Sequence, residues 1–129
     1  MLDASVLLAL LDPDDAHHHS ASSAVRQLRD DGATWSVPAS ALAEVLVGVA
    51  RQGPEHLATR RAAIVAAFGR ARVVDEDVAV EAAEVRAAHR TVRLPDALVI
   101  ATGRADGAEV VLTADRRWAA IDPRVRVVG

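Results

Sequence analysis

Four amino acids are missing from these 129 residues: cysteine, lysine, tyrosine and asparagine. Without cysteine the chain has no disulfide, thiolate nucleophile, iron–sulfur cluster or cysteine zinc site. Without lysine it has no Schiff-base chemistry and no Walker-type phosphate loop. All 15 of its Lys/Arg-type cations are therefore arginine. The codon usage of a GC-rich genome explains such absences, and the exclusions hold in any case. Aromatic residues amount to 2% of the chain, one Phe and two Trp, so stacking on bases cannot dominate any contact with nucleic acid. The net charge of −3 argues at first against a polyanionic partner, although the local placement of arginines decides more than the global sum. No apolar run reaches the roughly 18 residues of a membrane span, and no basic stretch precedes the first apolar segment. A soluble, cytoplasmic protein is expected.

What is present is small and aliphatic. The hydrophobic fraction of 51% is carried by Ala, Val and Leu, which suit helices packed tightly on a buried sheet. The length fits one domain, residues 1–129, able to bury roughly two-thirds of its unfolded surface. Short strands are expected at Leu2 to Val6, Thr34 to Val37, Arg72 to Val74, Glu109 to Leu112 and Val125 to Val128. Between them the spacing predicts a buried helix start in SVLLALL, then helices from Ala16 to Asp30, from Pro38 and Ser40 through Arg51, from Pro54, from an Asp75 cap through His89, from Pro95 to Gly107, and a short one from Asp115 to Ile121. Short strands alternating with helices give an α/β domain: a short-stranded parallel sheet with helices on both faces. In such sheets functional groups gather beyond the carboxyl ends of the strands.

Four acids occupy that region. Asp3 and Asp115 follow strands, Asp96 stands in the first turn of a helix, and Glu44 interrupts the apolar run ALAEVLVGVA. Asp96 and Asp115 could merely cap helices, since an acid at a helix start is favoured anyway. Asp3 is harder to dismiss, because a carboxylate beside a buried strand costs several kcal/mol (order of magnitude) unless it is paired or metal-bound. Glu44 sits among Leu42, Ala43, Val45, Leu46 and Val47 with no nearby cation before Arg51, so incomplete solvation is expected there. Four carboxylates brought together repel one another unless a cation lies between them. Hard oxygen ligands without thiolates suit Mg²⁺ or Mn²⁺, and such ions activate water and stabilise both oxygens of a phosphodiester displacement.

The succession LDAS, ALAEVLVG, LPDALVIATG and LTADRRW resembles the PIN-domain family, and within it the VapC-type toxins of bacterial toxin–antitoxin pairs. The resemblance covers essentially the whole chain. It implies a metal-dependent endoribonuclease whose carboxylate-bound Mg²⁺ or Mn²⁺ serves the cleavage of single-stranded regions of RNA. Asp3, Glu44, Asp96 and Asp115 match the family's acidic quartet as metal ligands. Ser5 and Thr113 match the hydroxyl positions of its DxS and TxD motifs. A small VapB-like antitoxin is implied as partner, along with homodimerisation. One departure is that only Met1 and Leu2 precede Asp3, where relatives carry a longer first strand. Either that strand is clipped, or the true start lies upstream.

Arg93 and Arg104 bracket Asp96, and Arg116 and Arg117 follow Asp115, which puts cations in position to grip RNA phosphates; exposed helix arginines are the plainer reading. The run His17–His18–His19 is read as a solvated helix start, because consecutive helical residues point about 100° apart and cannot share one tetrahedral site. Faces around Ala62, Ala66 and Ala67 suit either core or interface. Two rival readings stand beside the nuclease. An aspartyl-phosphate phosphatase or receiver domain would need a Lys, and the phosphatase a second Asp where Ser5 stands. A catalytically silent PIN-like scaffold that binds RNA or protein would have no need of all four acids.

Overall fold

The computed structural model describes all residues from Met1 to Gly129. Its helices are α1 (Ala4–Leu11), α2 (His18–Asp30), α3 (Ala39–Ala50), α4 (Pro54–Phe68), α5 (Glu76–Ala88) and α6 (Leu94–Ala105), followed by strand β1 (Val111–Thr113), a 3-10 turn (Arg116–Ala120) and strand β2 (Val125–Val127). None of the helices is long and apolar enough to cross a membrane.

The sheet is α/β and parallel, as the sequence implies, but thinner than expected. β1 and β2 pair in parallel, Val111 opposite Val125. Leu2 bridges Leu112, and Pro38 bridges Arg72, also in parallel. The amide of Leu2 donates to the Ser36 carbonyl (2.9 Å), which joins the two halves. The order across the sheet is thus Arg72, residues 36–38, residues 1–3, β1, β2. By chain position this is third, second, first, fourth, fifth. The winding therefore reverses between residues 1–3 and β1, and a crevice opens beyond the carboxyl ends of these two neighbours. Right-handed crossovers would set α1 to α4 on one face and α5 and α6 on the other; α5 packs on α6, α1 on α2 and α3, and α3 on α4 and also on α6.

The first strand expected over Leu2 to Val6 ends at Asp3, because α1 begins at Ala4. The run SVLLALL can bury both sides of a helix, and Val6, Leu7 and Ala9 do so. The expected strands at 34–37 and 72–74 shrink to one bridge, since α3 begins at Ala39, directly after it. The segment Asp115 to Ile121 winds as a tight 3-10 turn instead of an α-helix. Asp75 caps α5 as expected, accepting from the Val78 amide at 3.0 Å.

Leu2, Leu7, Ile100, Leu112 and Trp118 form the centre of the core, each no more than 1% exposed. Helix α6 lies so close to β1 that a Cβ at Gly103 would sit 2.8 Å from Val111 Cγ2. That close approach fixes the far end of α6, and with it the position of Asp96 at the near end.

Candidate active site

Asp3 is the last residue of the central segment, in extended backbone just before α1. Its carboxylate is 6% exposed, and two hydroxyls are turned onto one of its oxygens. Ser5 Oγ donates to Asp3 Oδ2 at 2.6 Å, and Thr113 Oγ1 donates to the same atom at 2.9 Å. Each hydroxyl then accepts a backbone amide: Ser5 Oγ from Ala114 across the crevice (3.0 Å), and Thr113 Oγ1 from Asp115 at its own strand end (3.1 Å). A hydroxyl has one proton to give, so the pattern leaves Asp3 Oδ2 doubly bonded by hydroxyls and ties the ends of the two central strands together. Burial pushes the Asp3 carboxyl above its usual range, and the bonds from Ser5 and Thr113 only partly oppose this.

Asp96 enters at the third residue of α6 and is 5% exposed. It accepts the Arg93 amide at 3.3 Å, the capping-box geometry that the sequence position suggests. It is also held by the Arg93 guanidinium, Nε to Oδ2 at 3.2 Å and Nη2 to Oδ1 at 3.1 Å. Asp115 caps the 3-10 turn through the Arg117 amide (2.9 Å), and the Arg117 guanidinium grips both of its oxygens. That contact, opposed by burial, holds the Asp115 carboxyl below its usual range.

Glu44 differs from expectation. Ala41 and Val45 are the buried positions of α3, and Glu44, about 100° around the axis from Val45, is exposed. Its sequence neighbours are apolar, but on a helix they point elsewhere. Its carboxyl is nevertheless raised, by partial desolvation first and then by the charges of Asp3 and, more weakly, Asp96, with Arg93 opposing. Asp3, Glu44 and Asp96 therefore share one electrostatic neighbourhood, and Asp115 joins it through Arg93.

The donor set is all oxygen, with imidazoles elsewhere. His18 Nδ1 lies 2.7 Å from the Ala9 carbonyl, pinning the start of α2 to α1. This chemistry fits Mg²⁺ or Mn²⁺. As the side chains stand, no three acids or histidines converge closely enough to hold an ion, and Arg93 and Arg117 occupy oxygens of Asp96 and Asp115.

Of the four arginines that the sequence offers for phosphate contact, Arg93 and Arg117 flank the acids and Arg116 is exposed beside them. Arg104 does not belong there. It lies eight residues along α6 from Asp96, about 12 Å of rise, and is bound to Asp122 (2.6 Å) and Glu81 (2.5 Å). Ser40 carries more than the helix start that the sequence assigns to it. Its hydroxyl oxygen is buried without a protein partner, one turn before Glu44 on the same side of α3, and the four-residue spacing is the signal that could have found it.

A model of the PIN domain family matches residues 1–123 of the chain. No curated protein matches it. Among solved structures it is similar to a toxin–antitoxin complex from Klebsiella pneumoniae, at 21% identity and TM-score 0.72, over 98% of this chain and 94% of that one. It is similar to VapBC2 from Rickettsia felis bound to a promoter DNA fragment, at 14% identity and TM-score 0.76, over 100% and 98%. It also resembles VapC20 of Mycobacterium tuberculosis, a toxin that cleaves the sarcin–ricin loop, at 22% identity and TM-score 0.68, over 99% and 98%.

Proposed function

Because the chain belongs to the PIN-domain family, we propose that it is a metal-dependent endoribonuclease, the VapC-type toxin of a toxin–antitoxin pair. The observation that carries this reading is Asp3, buried at the reversal of the winding, bonded by Ser5 and Thr113, and raised in pKa beside Glu44 and Asp96. A buried acid with so little compensation makes chemical sense where a cation is its intended partner.

Asp3, Glu44, Asp96 and Asp115 would hold Mg²⁺ or Mn²⁺, which supplies a hydroxide-like water and neutralises charge on the phosphodiester. The chain's own groups do the rest. Ser5 and Thr113 fix the orientation of Asp3 and keep one of its oxygens engaged. Arg93 and Arg117, released from Asp96 and Asp115, are long and exposed enough to bind phosphate oxygens of the RNA, with Arg116 beside them. With few aromatics, the RNA is held by its backbone and shape, and the sarcin–ricin loop cleaved by VapC20 supports an RNA loop as the target class.

A VapB-like antitoxin is supported by the complexes from Klebsiella and Rickettsia. Leu8 on α1 and Val47 on α3 are 43% and 49% exposed. Ala62, Ala66 and Ala67 lie on the open side of α4. These are apolar surfaces for an antitoxin or a second copy of the chain. The Arg93 and Arg117 pairings also suit a silent scaffold whose acids are neutralised internally. Incubating antitoxin-free protein with total RNA in Mg²⁺, in Mn²⁺ and in EDTA separates the two readings. Discrete metal-dependent fragments, absent with Asp96→Asn, are expected; intact RNA in every lane from folded protein would favour the scaffold.

A further inference from the structure

Asp96 and Asp115 are each held twice by a single arginine. The Arg93 amide donates to Asp96 (3.3 Å), and the Arg93 guanidinium meets both oxygens of the same carboxylate. The Arg117 amide donates to Asp115 (2.9 Å), and the Arg117 guanidinium again meets both oxygens. The two amide contacts are caps, of α6 and of the 3-10 turn. They hold the carboxylates in place with or without the guanidinium groups. The side-chain contacts are therefore an addition to the acids, not the means of positioning them.

How firmly the two cations are held follows from their surroundings. The Arg93 and Arg117 side chains are 63% and 58% exposed, and each bonds only to its own acid. Arg104, at 32%, is clamped between Asp122 and Glu81. Arg116, exposed beside Arg117, pairs with no acid. Exposed ion pairs contribute little and are readily exchanged, so Arg93 and Arg117 are removable where Arg104 is part of the fold.

Their removal has an electrostatic consequence. Arg93 also feels the charges of Glu44 and Arg117, and Arg117 that of Asp96, so the two cations lie together among the acids. Two guanidinium groups carry the charge of one divalent ion and repel such an ion from the carboxylates they cover. A guanidinium fork matches a phosphate as well as it matches a carboxylate. An RNA backbone therefore offers both groups an equivalent partner.

Resting on the nuclease reading above, we infer that Arg93 and Arg117 are exchangeable counterions: they neutralise Asp96 and Asp115 in the free chain and pass to phosphates when RNA binds, which couples RNA binding to cation binding. The coupling is reciprocal, each ligand raising the affinity for the other. The free chain is kept a weak cation binder, and the crevice is fully loaded only on RNA.

The test reads bound Mn²⁺ directly, by loss of the electron paramagnetic resonance signal of the free ion. Wild type, Arg93→Gln, Arg117→Gln, the double variant, Arg116→Gln and Asp3→Asn are compared, each checked for folding by circular dichroism. Each is titrated alone and with a saturating single-stranded DNA oligonucleotide, which carries the same phosphates, is confirmed intact by gel and is corrected for its own Mn²⁺ binding. Alone, Arg93→Gln and Arg117→Gln are expected to bind Mn²⁺ up to about fivefold more tightly than wild type, the double variant more tightly still, and Arg116→Gln less than about twofold more tightly. With oligonucleotide, wild-type affinity is expected to rise and that of the double variant to change little. Arginine variants that bind like wild type, while Asp3→Asn loses the ion, would overturn the inference and leave the metal centre standing. An equal rise in Arg116→Gln would also overturn it, as an effect of net charge alone. So would an oligonucleotide effect undiminished in the double variant, because the phosphate would then act on the ion without the arginines. Binding unaffected by Asp3→Asn would overturn the metal-centre reading, and this inference with it.

Discussion

Asp3 and Asp122 are both buried, 6% and 3% exposed, and both carboxylates accept hydrogen bonds, yet the protein treats them in opposite ways. Asp122 is met by Arg104 (2.6 Å) and Arg124 (3.4 Å) and by the Arg124 amide (2.8 Å). Burial alone would push its carboxyl up, but these partners together bring it below the usual range. Asp3 is met only by neutral donors, the hydroxyls of Ser5 and Thr113 and the nearby amides of Ala4 and Ser5, and burial leaves its carboxyl above the usual range. One acid is neutralised by the fold and holds α6, α5 and the approach to β2 together. The other is kept short of positive charge at the crevice.

The sharpest break between the two regions is in function. Asp3→Asn or Asp96→Asn should cut RNA cleavage by more than about 100-fold, since even residues one layer out from a metal cost up to about that much. Fragment yield against time, on protein confirmed folded by circular dichroism, checks this. Arg104→Ala should do the reverse. Leaving Asp122 buried with a single weaker partner should cost roughly 3 kcal/mol of stability, measured by urea unfolding, with cleavage by the still-folded protein unchanged.

Acid separates the regions by sign. The folded pKa of Asp122 lies below its unfolded value, so its stabilisation is full above the usual carboxylate range and is lost as pH falls through the lowered value. Asp3 is the opposite case: in metal-free protein, folded Asp3 binds its proton more tightly than the unfolded chain does. Its ionisation therefore costs stability at neutral pH, and that stability returns as pH falls toward its unfolded value. Unfolding free energies from pH 7 to 3 in EDTA should show a weaker acid-side loss for Asp122→Asn, and for Asp3→Asn the absence of the gain that wild type makes as pH falls from the raised Asp3 value toward the unfolded one.

The smallest effect expected is at Arg93. An exposed ion pair contributes about 0.2–1 kcal/mol, so Arg93→Ala should tighten Mn²⁺ binding by up to about fivefold while weakening affinity for RNA. Mn²⁺ titration and filter binding measure the two halves separately.

Much of this was legible in the chain because the signals were local. Asp3 and Ser5, or Thr113 and Asp115, lie two residues apart at strand ends, and backbone geometry alone brings such pairs to one mouth. The parallel order followed from alternation of short apolar runs with helices. The illegible parts depended on direction around a helix or on distant partners. Glu44 looked incompletely solvated because its sequence neighbours are apolar; Ala41 and Val45 carry the buried stripe and Glu44 is exposed, yet part of that desolvation is there. Arg104 looked close to Asp96 by count but lies two turns away, and its main partner Asp122 is 18 residues further on. Strand lengths were overestimated because apolar content marks burial and does not distinguish a ladder from the helix that follows it, as α1 shows.

The most direct test is calorimetric titration of Mn²⁺ into metal-free wild type, Asp3→Asn and Arg104→Ala. Binding is expected in wild type and in Arg104→Ala, and its loss in Asp3→Asn. Equal binding by wild type and Asp3→Asn would contradict the claim that the crevice acids are the metal centre.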